Sequence, residues 1–151
     1  MNKFTPATAD YDQMVRGSFA KQGYMQHLGA ELAKVRPGHC EIHLPYRSEL
    51  LQQHGFFHAG ALSSIIDTAG GYAAFSLFEP GDGVLTVEFK INCMAPADGT
   101  KVVARAEVVR AGRTLTVTKG EVFALKDGAE TLCAMMQQTI MRITGRTDVK
   151  G

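Results

Sequence analysis

One carboxylate stands alone in a long uncharged stretch of this 151-residue chain. Between residues 58 and 78, Asp67 is the only Asp, Glu, Lys or Arg. Apolar residues fall on most sides of a helix drawn through this stretch, which predicts a long helix buried in the core. Burying a carboxylate costs free energy and raises its pKa toward neutrality, where a general base works best. The stretch therefore predicts either a catalytic acid or a carboxylate that accepts a hydrogen bond across a packing contact.

The neighbours of Asp67 on its side of the predicted helix are all small. This leaves space in which a ligand, a partner helix or another stretch of backbone can come close, and tight helix packing uses small residues for the same reason. The six positions are Gly60, Ser63, Ser64, Gly70, Gly71 and Ala74.

The start of the same helix supplies a second chemical group. At His58-Ala59-Gly60 the first-turn backbone N–H groups have no partner within the helix and carry the positive end of its dipole. Such amides can receive the oxyanion that develops during acyl transfer. His58 itself is better explained as a structural hydrogen-bonding residue than as a base, because no carboxylate is evident in the sequence to orient its ring.

The rest of the chain predicts the elements that hold this helix. We expect a short amphipathic N-terminal helix over about 8–22, a hairpin around Pro37-Gly38, and an irregular segment before the long helix. Four strands follow, joined by short turns, which predicts an α+β fold with an antiparallel sheet. Their ranges are 84–93, 102–109, 115–123 and 131–143, and in the first of them alternation places the apolar side chains Leu85 to Cys93 on one face.

Composition excludes several classes of function. Sixteen Lys and Arg against fifteen Asp and Glu give a net charge of +1, too balanced for a general nucleic-acid binder or a charged membrane tail. We expect Cys40, Cys93 and Cys133 to be small buried residues of a reducing compartment, and their spacing suggests no metal site. The first ten residues lack a signal-peptide pattern, so we predict a cytoplasmic protein.

The combined motif resembles a known family. His58-Ala59-Gly60, Asp67 and Gly70 are similar to the HGG…D…G helix signature of hotdog-fold acyl-CoA thioesterases of the phenylacetate-type (PaaI-like) branch. The resemblance extends to 86–92, Pro96-Ala97 and 110–114, and covers roughly residues 28–143. It implies one hotdog domain over 1–151, in which a curved antiparallel sheet wraps the long helix. The short N-terminal helix precedes this core, a polar tail at 144–151 is expected to fray, and no cofactor is implied.

The resemblance also implies roles for individual residues. Asp67 corresponds to the catalytic acid, and the amides of Ala59 and Gly60 correspond to the donors that hold the thioester carbonyl. Gln52 matches the Asn or Gln that positions the thioester or the attacking water. Thr86 matches a Ser or Thr that assists from the neighbouring strand.

Two arginines, one departure and an assembly complete the resemblance. Arg110 and Arg113 match basic positions near the phosphates of coenzyme A, although surface arginines beside a turn are more often simply solvated. Ala59 replaces the middle glycine of the signature, which keeps the N–H but disfavours a positive φ. Family members place the site at a dimer interface, which implies at least a homodimer and more specifically a homotetramer, a dimer of dimers.

We therefore predict an enzyme that hydrolyses an aryl- or short/medium-chain acyl-CoA, with Asp67 as general base or nucleophile. The alternatives are a non-catalytic acyl-CoA-binding protein and a hotdog hydratase or dehydratase. The last is disfavoured because Tyr72 stands where an Asp-(x4)-His pattern needs histidine. Phe56, Phe57, Tyr72 and Phe75 are candidates for lining an aryl or medium-chain acyl pocket, but they suit ordinary core or dimer packing better.

Overall fold

The long helix predicted around Asp67 organises the fold. A computed structural model describes residues 4–151, and in it the helix α3 runs over Ala59–Phe75. Two shorter helices precede it, α1 over Tyr11–Phe19 and α2 over Gly23–Leu28. A 3-10 turn at Ser48–Leu50 lies in the irregular segment before α3.

One antiparallel sheet wraps α3. Its six strands follow the order β1-β2-β4-β5-β6-β3, so β3 leaves the chain order and forms an edge beside β6. This is the helix-in-sheet α+β architecture that the hotdog resemblance implies. The strands are β1 (Glu31–Arg36), β2 (His39–Pro45), β3 (Gly83–Cys93), β4 (Lys101–Ala111), β5 (Leu115–Lys126) and β6 (Ala129–Ile143).

The core lies between α3 and the concave face of the sheet. Ile65, Ile66 and Ala69 of the helix are completely buried, as are Val122 and Ile140 on the strands beneath. Each large apolar side chain buried here stabilises the fold by roughly 1.5–3 kcal/mol. The helix lies so close to β5 that a Cβ on Gly120 would come within 2.8 Å of Ile66 Cγ1. Most sides of α3 are therefore covered, as its composition predicts.

The N-terminal region departs from the prediction of one helix over 8–22. The first helix ends at Phe19, and α2 begins at Gly23, the residue expected to lie just beyond the helix. Met25 and Leu28 are buried, so this second helix has its own apolar anchors. Gly29 then ends α2 in the left-handed conformation, with φ of 76°.

The simple alternation predicted for β3 is wrong because the strand contains a β-bulge. Thr86 pairs with Ile140 and Phe89 pairs with Gln138, with the register shifting between Thr86 and Glu88. Paired residues share a face, so Thr86 and Phe89 lie on the helix side while Leu85 lies with Glu88 on the outer side. The bulge thus turns a polar Thr86 toward the helix without moving the inward positions that follow it.

Two further expectations need correction. Cys40 and Cys133 are buried, but Cys93 is exposed at the end of the edge strand. The polar tail does not simply fray, because the Gly151 N–H donates to the Asp82 carbonyl at 3.0 Å. Over residues 4–151, no helix combines the length and the apolar character that crossing a membrane requires.

Candidate active site

Asp67 is held by donors from two strands. The Thr86 hydroxyl donates to Asp67 Oδ1 at 2.7 Å, and Gln138 Nε2 donates to the same oxygen at 2.9 Å. Gln138 Nε2 also lies 3.2 Å from the Asp67 carbonyl oxygen. Burial raises the pKa of the Asp67 carboxyl, and these two side-chain hydrogen bonds partly oppose that rise. In the part of the chain that the structure describes, no group donates to Oδ2, so one carboxylate oxygen is fixed and the other is available.

A cavity of about 260 Å³ opens beside this carboxylate, between α2, α3 and the start of β3. The Ser64 hydroxyl, one turn before Asp67, lies 3.4 Å from Tyr24 Oη across it. One turn after Asp67, a Cβ added to Gly71 would meet nothing within 4 Å, so the space over this glycine is open. The residues that line the cavity are Gln22, Tyr24, Met25, Ser64, Asp67, Thr68, Gly71, Tyr72, Val84 and Thr86.

Three of the four candidate pocket aromatics belong to the core. Phe57 and Phe75 are 4% and 1% exposed. Tyr72 is also buried, and its hydroxyl is held by Gln22 Nε2 at 2.8 Å and lies 3.1 Å from Ser18 Oγ. Tyr72 therefore lines the cavity with its hydroxyl held in place, whereas Phe56 is half-buried in the loop before α3.

The start of α3 is capped by its own histidine. His58 Nδ1 accepts a hydrogen bond from the Gly60 N–H at 2.8 Å, and the His58 carbonyl accepts from the Ala61 N–H at 2.9 Å. The Ala59 N–H has no acceptor among the residues described. Ala59 does not have a positive φ, so alanine is accommodated here without backbone strain. Of the two predicted carbonyl-binding amides, Ala59 is free and Gly60 is engaged by the imidazole.

The helix start and the acid of one chain are not brought together. Asp67 lies seven residues beyond Gly60 on the same helix, which is about 10 Å at 1.5 Å per residue. An oxyanion donor and a catalytic base must each lie about 3 Å from the atoms they act on. One chain therefore carries the two halves of such a site at separate places.

Gln52 lies in the loop that leads into α3 and is distant from Asp67 in the sequence. The bridge between Leu51 and Phe57 closes the loop that carries it. Gln52 Oε1 accepts a hydrogen bond from the His54 N–H, and the Gln52 main-chain N–H donates to the Phe56 carbonyl. Its Nε2 has no partner within residues 4–151, so the loop orients the amide and leaves a donor available.

Neither predicted arginine meets Asp67. Arg110 pairs with Val117, whose own partner is Thr139, and this row lies on the sheet face turned away from α3. Arg113 is exposed in the turn between β4 and β5. Of the predicted site residues outside α3 itself, only Thr86 contacts Asp67 within the described part of a single chain.

Gln138 is the site residue that sequence reasoning missed. Its side chain is 2% exposed and occupies an inward position of β6 between Met136 and Ile140. The signal was present, because this amide interrupts an otherwise apolar inward row. A Cβ on Gly70 would lie 1.7 Å from Gln138 Oε1, so this glycine makes room for Gln138 rather than for a ligand.

The buried amide is incompletely paired. Gln138 Oε1 and Thr118 Oγ1 are both buried without a hydrogen-bond partner among the described residues. Each unsatisfied buried group of this kind costs about 1–3 kcal/mol. The Gln138 side chain therefore combines a hydrogen bond to the Asp67 carboxylate with an unsatisfied oxygen.

Comparison with known proteins agrees with this architecture. Residues 54–131 match the family model described as the Thioesterase superfamily. A thioesterase family protein from Silicibacter pomeroyi is 50% identical in sequence, with a TM-score of 0.88 over 89% of this chain and 99% of that one. The PaaI protein from the phenylacetic acid degradation operon of E. coli has a TM-score of 0.80 at 21% identity, covering 90% of this chain and 95% of that protein. The 1,4-dihydroxy-2-naphthoyl-CoA hydrolase of Listeria monocytogenes is 25% identical over 118 residues, which are 78% of this chain and 94% of that enzyme.

The family model spans more than half of the chain, and the fold agrees with it. The chain belongs to the thioesterase superfamily and has its hotdog fold. It is a thioester hydrolase by family, which confirms the resemblance drawn from His58-Ala59-Gly60 and Asp67.

Proposed function

We propose that this protein hydrolyses an acyl-CoA thioester to the free acid and coenzyme A, with Asp67 as the reacting carboxylate. The observation that carries the proposal is the Asp67 environment. One carboxylate oxygen accepts hydrogen bonds from Thr86 and Gln138, and the other, which no described residue donates to, lies beside a cavity. The hydrolase from Listeria monocytogenes, whose name specifies a CoA thioester, supports the substrate class.

Two routes use the same carboxylate. As a general base, Asp67 takes a proton from water while the water oxygen attacks the thioester carbon, and collapse of the tetrahedral adduct breaks the C–S bond. As a nucleophile, Asp67 attacks that carbon itself, the CoA thiolate leaves, and water hydrolyses the resulting anhydride. A single turnover in heavy-oxygen water separates them, because only the nucleophilic route leaves the heavy isotope in the Asp67 side chain.

We infer that the working site needs two copies of the chain. The carbonyl-binding amide at Ala59 lies about 10 Å or more from Asp67 along the same helix, so a second copy must supply it. Asp67 is tied through Thr86 to β3, which is a sheet edge with Leu85, Val87 and Phe89 about half exposed. Long apolar edge strands pair readily with another strand. The proposed dimer joins at this edge, and two dimers form the tetramer.

The remaining predicted residues fit the two-copy site. Gln52 lies in the loop that leads into α3, so its free Nε2 would arrive with the second copy's helix start and position the thioester or the water. Arg110 and Arg113 are exposed and lie away from Asp67 in their own chain. In the proposed assembly, they bind the CoA phosphates of a substrate held at the Asp67 of a neighbouring copy. The 260 Å³ cavity beside Asp67 suits an aryl or a short to medium acyl group.

The test is a thiol-release assay across arylacetyl-, benzoyl- and straight-chain CoA esters, run on wild type and Asp67→Asn. We expect release of CoA thiol by wild type, with a loss of at least about 100-fold in kcat for the variant. The asparagine can keep both hydrogen bonds through its side-chain oxygen, so folding should be intact. Near-normal turnover by the variant would contradict the proposal, and binding without thiol release would favour a non-catalytic acyl-CoA-binding protein.

A further inference from the structure

Gln138 grips Asp67 from the neighbouring strand at two points. Its Nε2 donates to Oδ1 at 2.9 Å and lies 3.2 Å from the Asp67 main-chain oxygen. Because the amide bridges the side chain and the backbone of the same residue, it restricts rotation of the carboxylate. The Thr86 hydroxyl also donates to Oδ1, at 2.7 Å. Both donors thus converge on one oxygen, and Oδ2 has no donor among the residues that the structure describes.

The surroundings of Gln138 show that this orientation is imposed. Turning the amide over would bring Oε1 against the carboxylate oxygen, where two acceptors repel. The observed orientation instead leaves Oε1 buried and unpartnered near Thr118. The absence of a side chain at Gly70 makes room for this oxygen, since a Cβ there would lie 1.7 Å from Oε1. The sequence thus combines a glycine and an incompletely paired amide to keep one N–H on Asp67.

We propose that Gln138 is a positioning residue for the reaction: with Thr86 it fixes Oδ1 and so assigns Oδ2 as the oxygen that takes the proton from water or attacks the thioester. This inference rests on the proposed role of Asp67. It predicts that loss of the Gln138 N–H lowers kcat and raises the pKa of the Asp67 carboxyl, with little net change in stability.

The first test replaces Gln138 by a side chain of similar length without a donor. In Gln138→Met we expect kcat to fall about 10- to 100-fold with KM within about twofold, because the carboxylate is displaced while the substrate contacts remain. The melting temperature should stay close to that of wild type, because removal of the unpaired buried oxygen offsets the loss of the hydrogen bond to Asp67. The matched control is Gln137→Met, on the exposed outer face of the same strand, which should have wild-type kinetics.

A titration measures the same contact without substrate. Gln138 stabilises the ionised carboxylate, so its removal should raise the pKa of Asp67 in a carbon-detected NMR titration of labelled aspartate, with Asp67→Asn assigning the signal. The acid limb of the rate profile should move to higher pH by the same amount.

The variant Gln138→Glu is designed to restore the contact conditionally. When protonated, the new carboxylic acid can donate to Oδ1 in place of the amide, so activity should persist at low pH. As pH rises and the shared proton leaves, two carboxylates face each other and activity should fall, giving an alkaline limb that wild type lacks.

The outcomes separate this inference from the proposed function. If Asp67→Asn is inactive while Gln138→Met keeps kcat, the titration and the rate profile of wild type, the positioning role is wrong. If Gln138→Met fails to fold and Gln138→Glu retains a wild-type pH profile, the amide is structural and the inference is likewise overturned. Activity in Asp67→Asn would instead defeat the proposed function, whatever Gln138 does.

Discussion

At the level of single residues, two opposing effects act on the pKa of the Asp67 carboxyl. Burial raises the pKa of Asp67, while donors from Thr86 and Gln138 favour its ionised form. The balance leaves a carboxylate that is available as a base yet less hydrated than one on the surface. A group held in this way is expected where chemistry is done, because environment rather than residue type sets its proton affinity.

This arrangement predicts that the ionised Asp67 carboxylate lowers the stability of the fold while it supports the proposed activity. The carboxyl pKa is raised in the folded protein, so the fold binds the proton more tightly than the unfolded chain does. Stability from this group is therefore complete below the ordinary value of 3.8 and is lost as pH rises through the higher folded value. We expect Asp67→Asn, though inactive, to have a higher free energy of unfolding than wild type at neutral pH.

Urea denaturation at a series of pH values checks this prediction. The difference between variant and wild type should shrink toward zero as pH falls through the titration range of Asp67. A variant less stable than wild type at neutral pH, with a difference independent of pH, would show that the carboxylate is a net stabilising group.

At the scale of elements, two adjacent glycines of α3 have opposite roles. A Cβ on Gly70 would collide with Gln138 Oε1 at 1.7 Å, whereas one on Gly71 would meet nothing within 4 Å. We expect Gly71→Ala to stabilise the fold by up to about 1 kcal/mol, the ordinary gain from alanine in a helix. Gly70→Ala should lose that gain and destabilise, because Gln138 must move.

Thermal unfolding of the two alanine variants provides the comparison, since the substitutions are chemically identical and one position apart. A similar rise in melting temperature for both would show that Gln138 moves aside freely. In that case the close approach over Gly70 would not constrain the site.

The sequence predicts these helices and strands well where the apolar residues follow one regular spacing. The long helix around Asp67 is recognisable because apolar residues surround it, and the hairpin and later strands follow from alternation between turn residues. The β3 bulge could not be predicted, since Leu85 to Cys93 alternate regularly and the shift arises only through pairing with β6. The role of Gln138 could not be predicted for a related reason. It depends on a contact with Asp67, which lies 71 residues away in sequence.

At the scale of the whole molecule, the exposed edge and the divided site point to assembly. Among residues 4–151, strand β3 pairs with β6 alone, and Val87 at its bulge is 53% exposed. We expect Val87→Lys to oppose strand pairing at this edge. The variant should elute with a mass near the 16.3 kDa of one chain and lose thioesterase activity together with assembly.

Light scattering after size exclusion measures this directly. The matched control is Leu115→Lys, which charges a residue 47% exposed at the start of β5 and should leave mass and activity unchanged. A Val87→Lys protein of wild-type mass and activity would exclude β3 as the edge that joins two copies.

The Ala59 N–H is the donor that the proposed two-copy site takes from the second chain, and one substitution removes it. Ala59 is the first residue of α3, and His58 before it has φ of −65° and ψ of 140°, the conformation that precedes proline. Proline is favoured at the first position of a helix and lacks an N–H. Ala59→Pro should therefore fold normally and lose about 100- to 1000-fold in kcat.

Mixing two variants that are each expected to be inactive tests whether Asp67 of one copy works with the Ala59 amide of another. Asp67→Asn and Ala59→Pro are expressed together, and thiol release is compared with each variant alone. Random pairing of equal amounts should restore about a quarter of wild-type activity, since half of the dimers are mixed and each has one intact site of two. Activity no higher than that of the separate variants would contradict the shared site.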